Sequence, residues 1–142
     1  MTLATCPFNA RWIVGGYGES MLKQIGSARI SCSGTIYGSS HGLLRYLLLM
    51  IKGAYECAPL ARLQMLGIDQ GIHNVLVNRY RVPVMENGQL VWTLHYVQDS
   101  AIRVSDGRVF DPKGHAPSVL HQYDRKAALV KLMDELWGGQ LA

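Results

Sequence analysis

Cysteine is scarce in this chain and charge is thin. The three cysteines (Cys6, Cys32 and Cys57) are irregularly spaced and form no Cys-x-x-Cys, which excludes a disulfide framework and a cysteine zinc site. They are expected as reduced, mostly buried thiols. Only 17% of residues are charged, and no run of one sign occurs. The basic residues form no cluster interleaved with aromatics, so a nucleic-acid groove is not expected. No Asn-x-Ser/Thr glycosylation acceptor, Walker sequence, Gly-x-Ser-x-Gly or His-Glu-x-x-His appears. The most apolar stretch, Leu43 to Ile51, is broken by Arg45 and Tyr46 and followed by Lys52. It is too short to span a bilayer, which takes about 20 apolar residues, and it reads as a buried helix. The first residues lack the charged start and apolar run of a signal peptide, so the cytoplasm is the default compartment.

What remains is a chain of 142 residues with 49% apolar residues and a net charge of +4. That suits one globular domain over residues 1–142, small for a complete sugar-transferring enzyme. A modest positive balance suits an anionic small substrate.

The pattern along the chain is mixed. Asn9 can cap a short helix ending at Gly15-Gly16, and Glu19 to Ile25 gives a second helix stopped by Gly26. Arg29 to Cys32 reads as a short buried strand running into Gly34. Gly38-Ser-Ser40 can start a helix whose Leu43, Leu44, Leu47, Leu48, Met50 and Ile51 cover more than one face, which places it at the centre of the core. Asp69 is placed to cap the next helix, through about Arg79. Asn87-Gly88, between Val82–Met85 and Leu90–Leu94, signals a hairpin. Asp106-Gly107 and Asp111-Pro-Lys-Gly114 are turns. Ser118 to His121 reads as a strand, and Asp124 caps a last helix to about Trp137, stopped by Gly138-Gly139. The fold class is α/β, a mixed sheet with packed helices.

Three constellations carry possible chemistry. Ser33-Gly34-Thr35 ends the strand at Cys32, where a glycine admits close approach of a ligand and hydroxyls can hold sugar or phosphate oxygens. Asp69-Gln70 opens a helix, and Asn74 lies one turn beyond Gln70 on the same face. His73 points about 100° from Asn74 and is expected at the surface. His121 at a strand end can ligate a divalent metal, and Arg125 can pair with phosphate. Taken singly, each also has a plain explanation: a strand-to-loop turn, an N-cap, a hydrogen-bonded core histidine.

In this order the pieces resemble the distal half of GT-A-type glycosyltransferases of the nucleotide-diphospho-sugar transferase class. The resemblance spans about Asn9 to Leu129. It implies that Ser33, Gly34 and Thr35 lie near the donor sugar, and that Asp69 and Gln70, with Asn74, lie at the reaction centre and acceptor side. It also implies that His121 helps hold a divalent metal, usually Mn2+, against the diphosphate, with Arg125 close by. The partners implied are a nucleotide-sugar donor and a carbohydrate or protein hydroxyl acceptor. The chain departs from the family in one respect: no two aspartates are spaced Asp-x-Asp, the motif that grips metal and nucleotide. The chain is therefore expected to be the C-terminal part of a larger glycosyltransferase domain. Its strands would then keep open edges and an uncovered apolar face through which it could self-associate. The alternatives are a non-catalytic carbohydrate- or protein-binding module on the same scaffold, and a hydrolase using Asp69 with His73 or His121.

Overall fold

The computed structural model describes residues 1–58, 66–95 and 97–138. The expected stop at Gly139 and the side chain of Trp137 lie outside them. The chain divides into two compact units, Met1–Val84 and Met85–Ala142.

The first unit is helical. Helix α1 (Pro7–Tyr17) carries proline in its first turn, where no amide hydrogen is needed, and packs on α2 (Glu19–Ile25). The glycines expected to break α1 lie within it. Gly16 is retained because a Cβ there would stand 2.8 Å from Cys57 Sγ, so the glycine lets a neighbouring chain approach. Helix α3 (Ser40–Glu56) begins as expected: Ser39 Oγ accepts from Gly42 N at 3.2 Å. Helix α4 (Ile68–Tyr80) follows, starting at Gly67 rather than at an Asp69 cap. Gly67 is left-handed (φ 82°), and a Cβ there would meet Trp12 Cζ2 at 2.5 Å. Trp12 Nε1 donates to Leu66 O at 2.9 Å, which fixes the approach to α4.

Two apolar clusters hold this unit together. Leu3, Ile13, Ile25 and Val75 form one, and Cys57, Ile72 and Leu76 form the other. Helix α4 is the hub, with Gly71 to Val77 all buried. The expected central helix, α3, buries only one face. Leu49, Met50, Gly53 and Ala54 turn inward, whereas Leu44, Leu47, Leu48 and Ile51 are each more than half exposed.

The expected strand at Arg29–Cys32 is extended, but it joins no ladder. Its one backbone bridge among the described residues links Thr2 and Arg29. The polar groups of Ser31 within it are met by side chains of α4, as set out below.

The second unit holds two small sheets. Strand β1 (Val91–Thr93) pairs in parallel with β4 (Val119–His121), Thr93 opposite His121. Strands β2 (Arg103–Ser105) and β3 (Arg108–Phe110) form a hairpin. Asp106 and Gly107 both have positive φ there, as a two-residue turn of that hand requires. Asp111 closes the next turn, its Oδ1 accepting from the amides of Lys113 and His115. Helix α5 (Ala127–Trp137) covers a core of Trp92, Leu94, Val109 and Leu129.

Two expectations fail in this unit. The Asn87-Gly88 turn forms, with Gly88 N donating to Val91 O, but residues 82–86 build no strand, so there is no hairpin. Pro83 removes a donor there, and β1 finds its partner in β4 instead. Asp124 sits in a short 3-10 turn (Tyr123–Arg125) and does not cap α5, whose N-cap is Lys126. The architecture is mixed α/β.

Candidate functional site

Buried backbone must find hydrogen-bond partners, and the segment from Ser31 to Ser33 finds them on a helix. Asn74 offers a full carboxamide to Ser31: its Oδ1 accepts from Ser31 N at 2.9 Å, and its Nδ2 donates to Ser31 O at 3.0 Å. Gln70, one turn earlier, repeats the pattern. Its Oε1 accepts from Ser33 N at 2.8 Å and its Nε2 donates to Ser31 O. Two amide side chains thus replace the neighbouring strand that an extended segment ordinarily pairs with.

The base of this arrangement is fully internal. Asn74 is 0% exposed, and its Nδ2 lies 3.3 Å from Asn9 Oδ1, while Asn9 Nδ2 donates to Cys6 Sγ. No buried side-chain nitrogen or oxygen among the described residues lacks a partner. Satisfied networks of this kind rigidify a core; broken ones are costly.

At the outer edge, Ser33 Oγ donates to Asp69 Oδ2 at 3.0 Å. Asp69 is exposed, Ser33 and Thr35 are half-buried, and Gly34 is exposed. A carboxylate beside a hydroxyl and an open glycine can take hydrogen bonds from the hydroxyls of a polyol.

His73, expected at the surface, is only 2% exposed. Tyr46 OH lies 2.7 Å from Nδ1 and Ser31 Oγ lies 2.9 Å from Nε2, so the imidazole bridges α3 to the extended segment. Burial drives its pKa down to about 4, against the opposing pull of the Asp69 carboxylate. Burial, helped by Asp69, raises the Tyr46 phenol to about 12. The ring is therefore neutral at pH 7, donating to one hydroxyl and accepting from the other.

The structure thus brings Ser33, Asp69, Gln70 and Asn74 into direct contact, with Gly34 and Thr35 following in the same loop. His121 and Arg125 belong to the second unit. His121 ends β4 and is half-buried, its carbonyl accepting from Leu94 N at 3.0 Å. Arg125 is exposed, with Nε 3.2 Å from Asp124 Oδ2, an ion pair of little energetic weight. A divalent metal needs several donors together, and among the described residues no three His, Cys, Asp or Glu side chains are so grouped. The donor set described does not fit a metal ion, and His121 by itself offers one ligand.

Sequence reasoning gave Ser31 and Tyr46 no role and read Asn9 as a helix cap, whereas the N-cap of α1 is Cys6 and Asn9 lies buried inside the helix. The spacing of Gln70, His73 and Asn74, three and four residues apart among buried apolar neighbours, was a usable signal for one polar stripe facing inward. Nothing in the sequence marked Tyr46. Comparison with protein-family models, curated proteins and solved structures finds no match to this chain.

Proposed function

We propose that this chain is the distal part of a metal-dependent glycosyltransferase that moves a sugar from a nucleotide-sugar donor to a hydroxyl acceptor. The observation that carries this reading is the direct bonding of the Ser31–Ser33 segment to Asp69, Gln70 and Asn74, from 36 to 43 residues away in sequence. The family resemblance rests on these same positions.

In this reading the roles divide. Asp69 and Ser33, at the exposed edge, touch the sugar or the acceptor. Gln70 and Asn74 spend their carboxamides on the backbone and act as positioning residues that hold Gly34 and Thr35 in place. In the second unit, taken by itself, Arg125 is an exposed cation of the kind that pairs with phosphate.

The absence of a grouped donor set among the described residues favours a second reading, a non-catalytic carbohydrate-binding module on the same scaffold. A transfer assay with nucleoside diphosphate hexoses and Mn2+ separates the two. The Asp69→Asn variant is expected to lose transfer at least tenfold while nucleotide binding is kept. Undiminished turnover in that variant would overturn the assignment of Asp69. Saturable glycan binding with no response to metal or nucleotide would favour the module.

A further inference from the structure

Helix α3 is apolar nearly all round, as buried helices are, yet only half of it is covered. Its outward face carries Leu44, Leu47, Leu48 and Ile51, each more than half exposed, and Tyr55 at 79%. At 3.6 residues per turn these five positions fall within an arc of about 100°. Together they form one contiguous exposed apolar patch, of the kind that marks an interaction surface. Within the stripe the only side-chain hydrogen-bonding group is the Tyr55 hydroxyl. Arg45 and Lys52, seven residues apart and both exposed, line one margin, with His41 beside them.

Charge is also unevenly shared. Residues 1–84 carry eight Lys or Arg against three Asp or Glu, an excess of five, whereas residues 85–142 carry six against seven. The unit that presents the stripe is the basic one.

These features distinguish among possible occupants. A second copy, packed antiparallel about a two-fold axis, would set the two basic margins side by side. Glu56, the one acidic residue of α3, is shared between Lys52 and Arg79, so one carboxylate stands against Arg45, Lys52 and Arg79 and the margin stays positive. An acidic protein would have to cover five side chains that offer almost no hydrogen bonds. A hydrocarbon surface asks for none, and anionic headgroups match the basic margin. No helix among the described residues is long and apolar enough to cross a membrane, so contact of this kind is interfacial.

We infer that α3 is an interfacial helix that lays the Leu44–Leu47–Leu48–Ile51–Tyr55 stripe into an anionic lipid surface, with Arg45 and Lys52 at the headgroups. The inference rests on this surface alone and does not depend on the proposed sugar transfer.

Flotation of the full chain with vesicles tests it, using phosphatidylcholine alone and phosphatidylcholine with about one-third phosphatidylglycerol. Binding is expected on the anionic vesicles and at least tenfold weaker on the neutral ones. It should weaken when salt rises from about 0.05 to about 0.5 M. The double variant Leu47→Ser/Ile51→Ser should lose at least tenfold in partition with its thermal melt unchanged, because both side chains are exposed. Arg45→Glu/Lys52→Glu should lose several-fold. Failure to float with anionic vesicles would overturn the inference, as would equal flotation of the Leu47→Ser/Ile51→Ser variant. A dimer in equilibrium sedimentation that this variant abolishes, without vesicle binding, would assign the stripe to a second copy instead. Binding to polyglutamate but not to vesicles would assign it to an acidic protein.

Discussion

Helices α3 and α4 invert what their compositions suggest. Helix α3 has four exposed Leu or Ile side chains on one face, while α4, which carries Asp69, Gln70, His73, Asn74 and Asn78, is buried from Gly71 to Val77. Neighbours decide the difference. Gly71 lets α1 come close enough that a Cβ would stand 2.8 Å from Trp12 Cβ, and Gly53 of α3 does the same for Ile72. The polar side chains of α4 are buried at low cost because each has a partner: Gln70 and Asn74 on the backbone of the extended segment, His73 on the hydroxyls of Ser31 and Tyr46, and Asn78 on the carbonyl of Asn74. A helix is internal when its polar groups are answered, and apolar content alone does not put it there.

The sharpest way to break this contrast is Asn74→Ala. It removes both bonds to Ser31, leaves the Ser31 amide unanswered while Gln70 still serves the carbonyl, and opens a cavity. The expected loss is about 3–4 kcal/mol in denaturant unfolding. A loss under about 1 kcal/mol would mean that the carboxamide does not hold the segment.

Acidification attacks the same place through His73. Its folded-state pKa of about 4 lies below the ordinary value of 6.5, so the unfolded chain binds the proton more readily. The stability it contributes is complete above pH 6.5 and is lost as pH falls toward about 4. The full loss is up to about 3 kcal/mol on the scale of 1.36 kcal/mol per pH unit. Unfolding curves at pH 7.5 and 4.5 should differ in wild type and differ much less in His73→Gln. Equal pH dependence in the two would remove His73 from the account.

Gly71→Ala should cost about 1–3 kcal/mol, because the new methyl meets Trp12 at both its Cβ and its backbone. The smallest effect is expected on the other helix. Leu47→Ser should shift stability by no more than about 0.5 kcal/mol in a thermal melt, since its side chain is more than half exposed. A large destabilisation there would show that the outer face of α3 is covered.

Local chemistry was legible where one residue pair decides it. The Asp106-Gly107 turn, the Asp111 turn, the Ser39 cap and the glycine stop after Ile25 all appear as the sequence suggests. Pairing was not legible, because it depends on distant partners. Val91–Thr93 lies next to a turn signal yet pairs with Val119–His121, and Arg29–Cys32 has strand character yet is held by a helix. Of the candidate site, Ser33, Asp69, Gln70 and Asn74 were identifiable from residue type and order. Their division into edge groups and holding groups was not, because it depends on which oxygen each amide meets. His73 was misread because its position on an ideal helix gives its angle to Asn74 but not the direction in which the core lies.

The most direct test is an amide NMR titration of the labelled chain with uridine diphospho-hexoses in the presence of Mn2+. The account predicts saturable shifts at Ser33, Gly34, Thr35 and Asp69, and Asp69→Asn should shrink the shifts at these amides while the midpoint of the titration is kept. No shift at those amides with any nucleoside diphosphate sugar, while the chain stays folded, would contradict it.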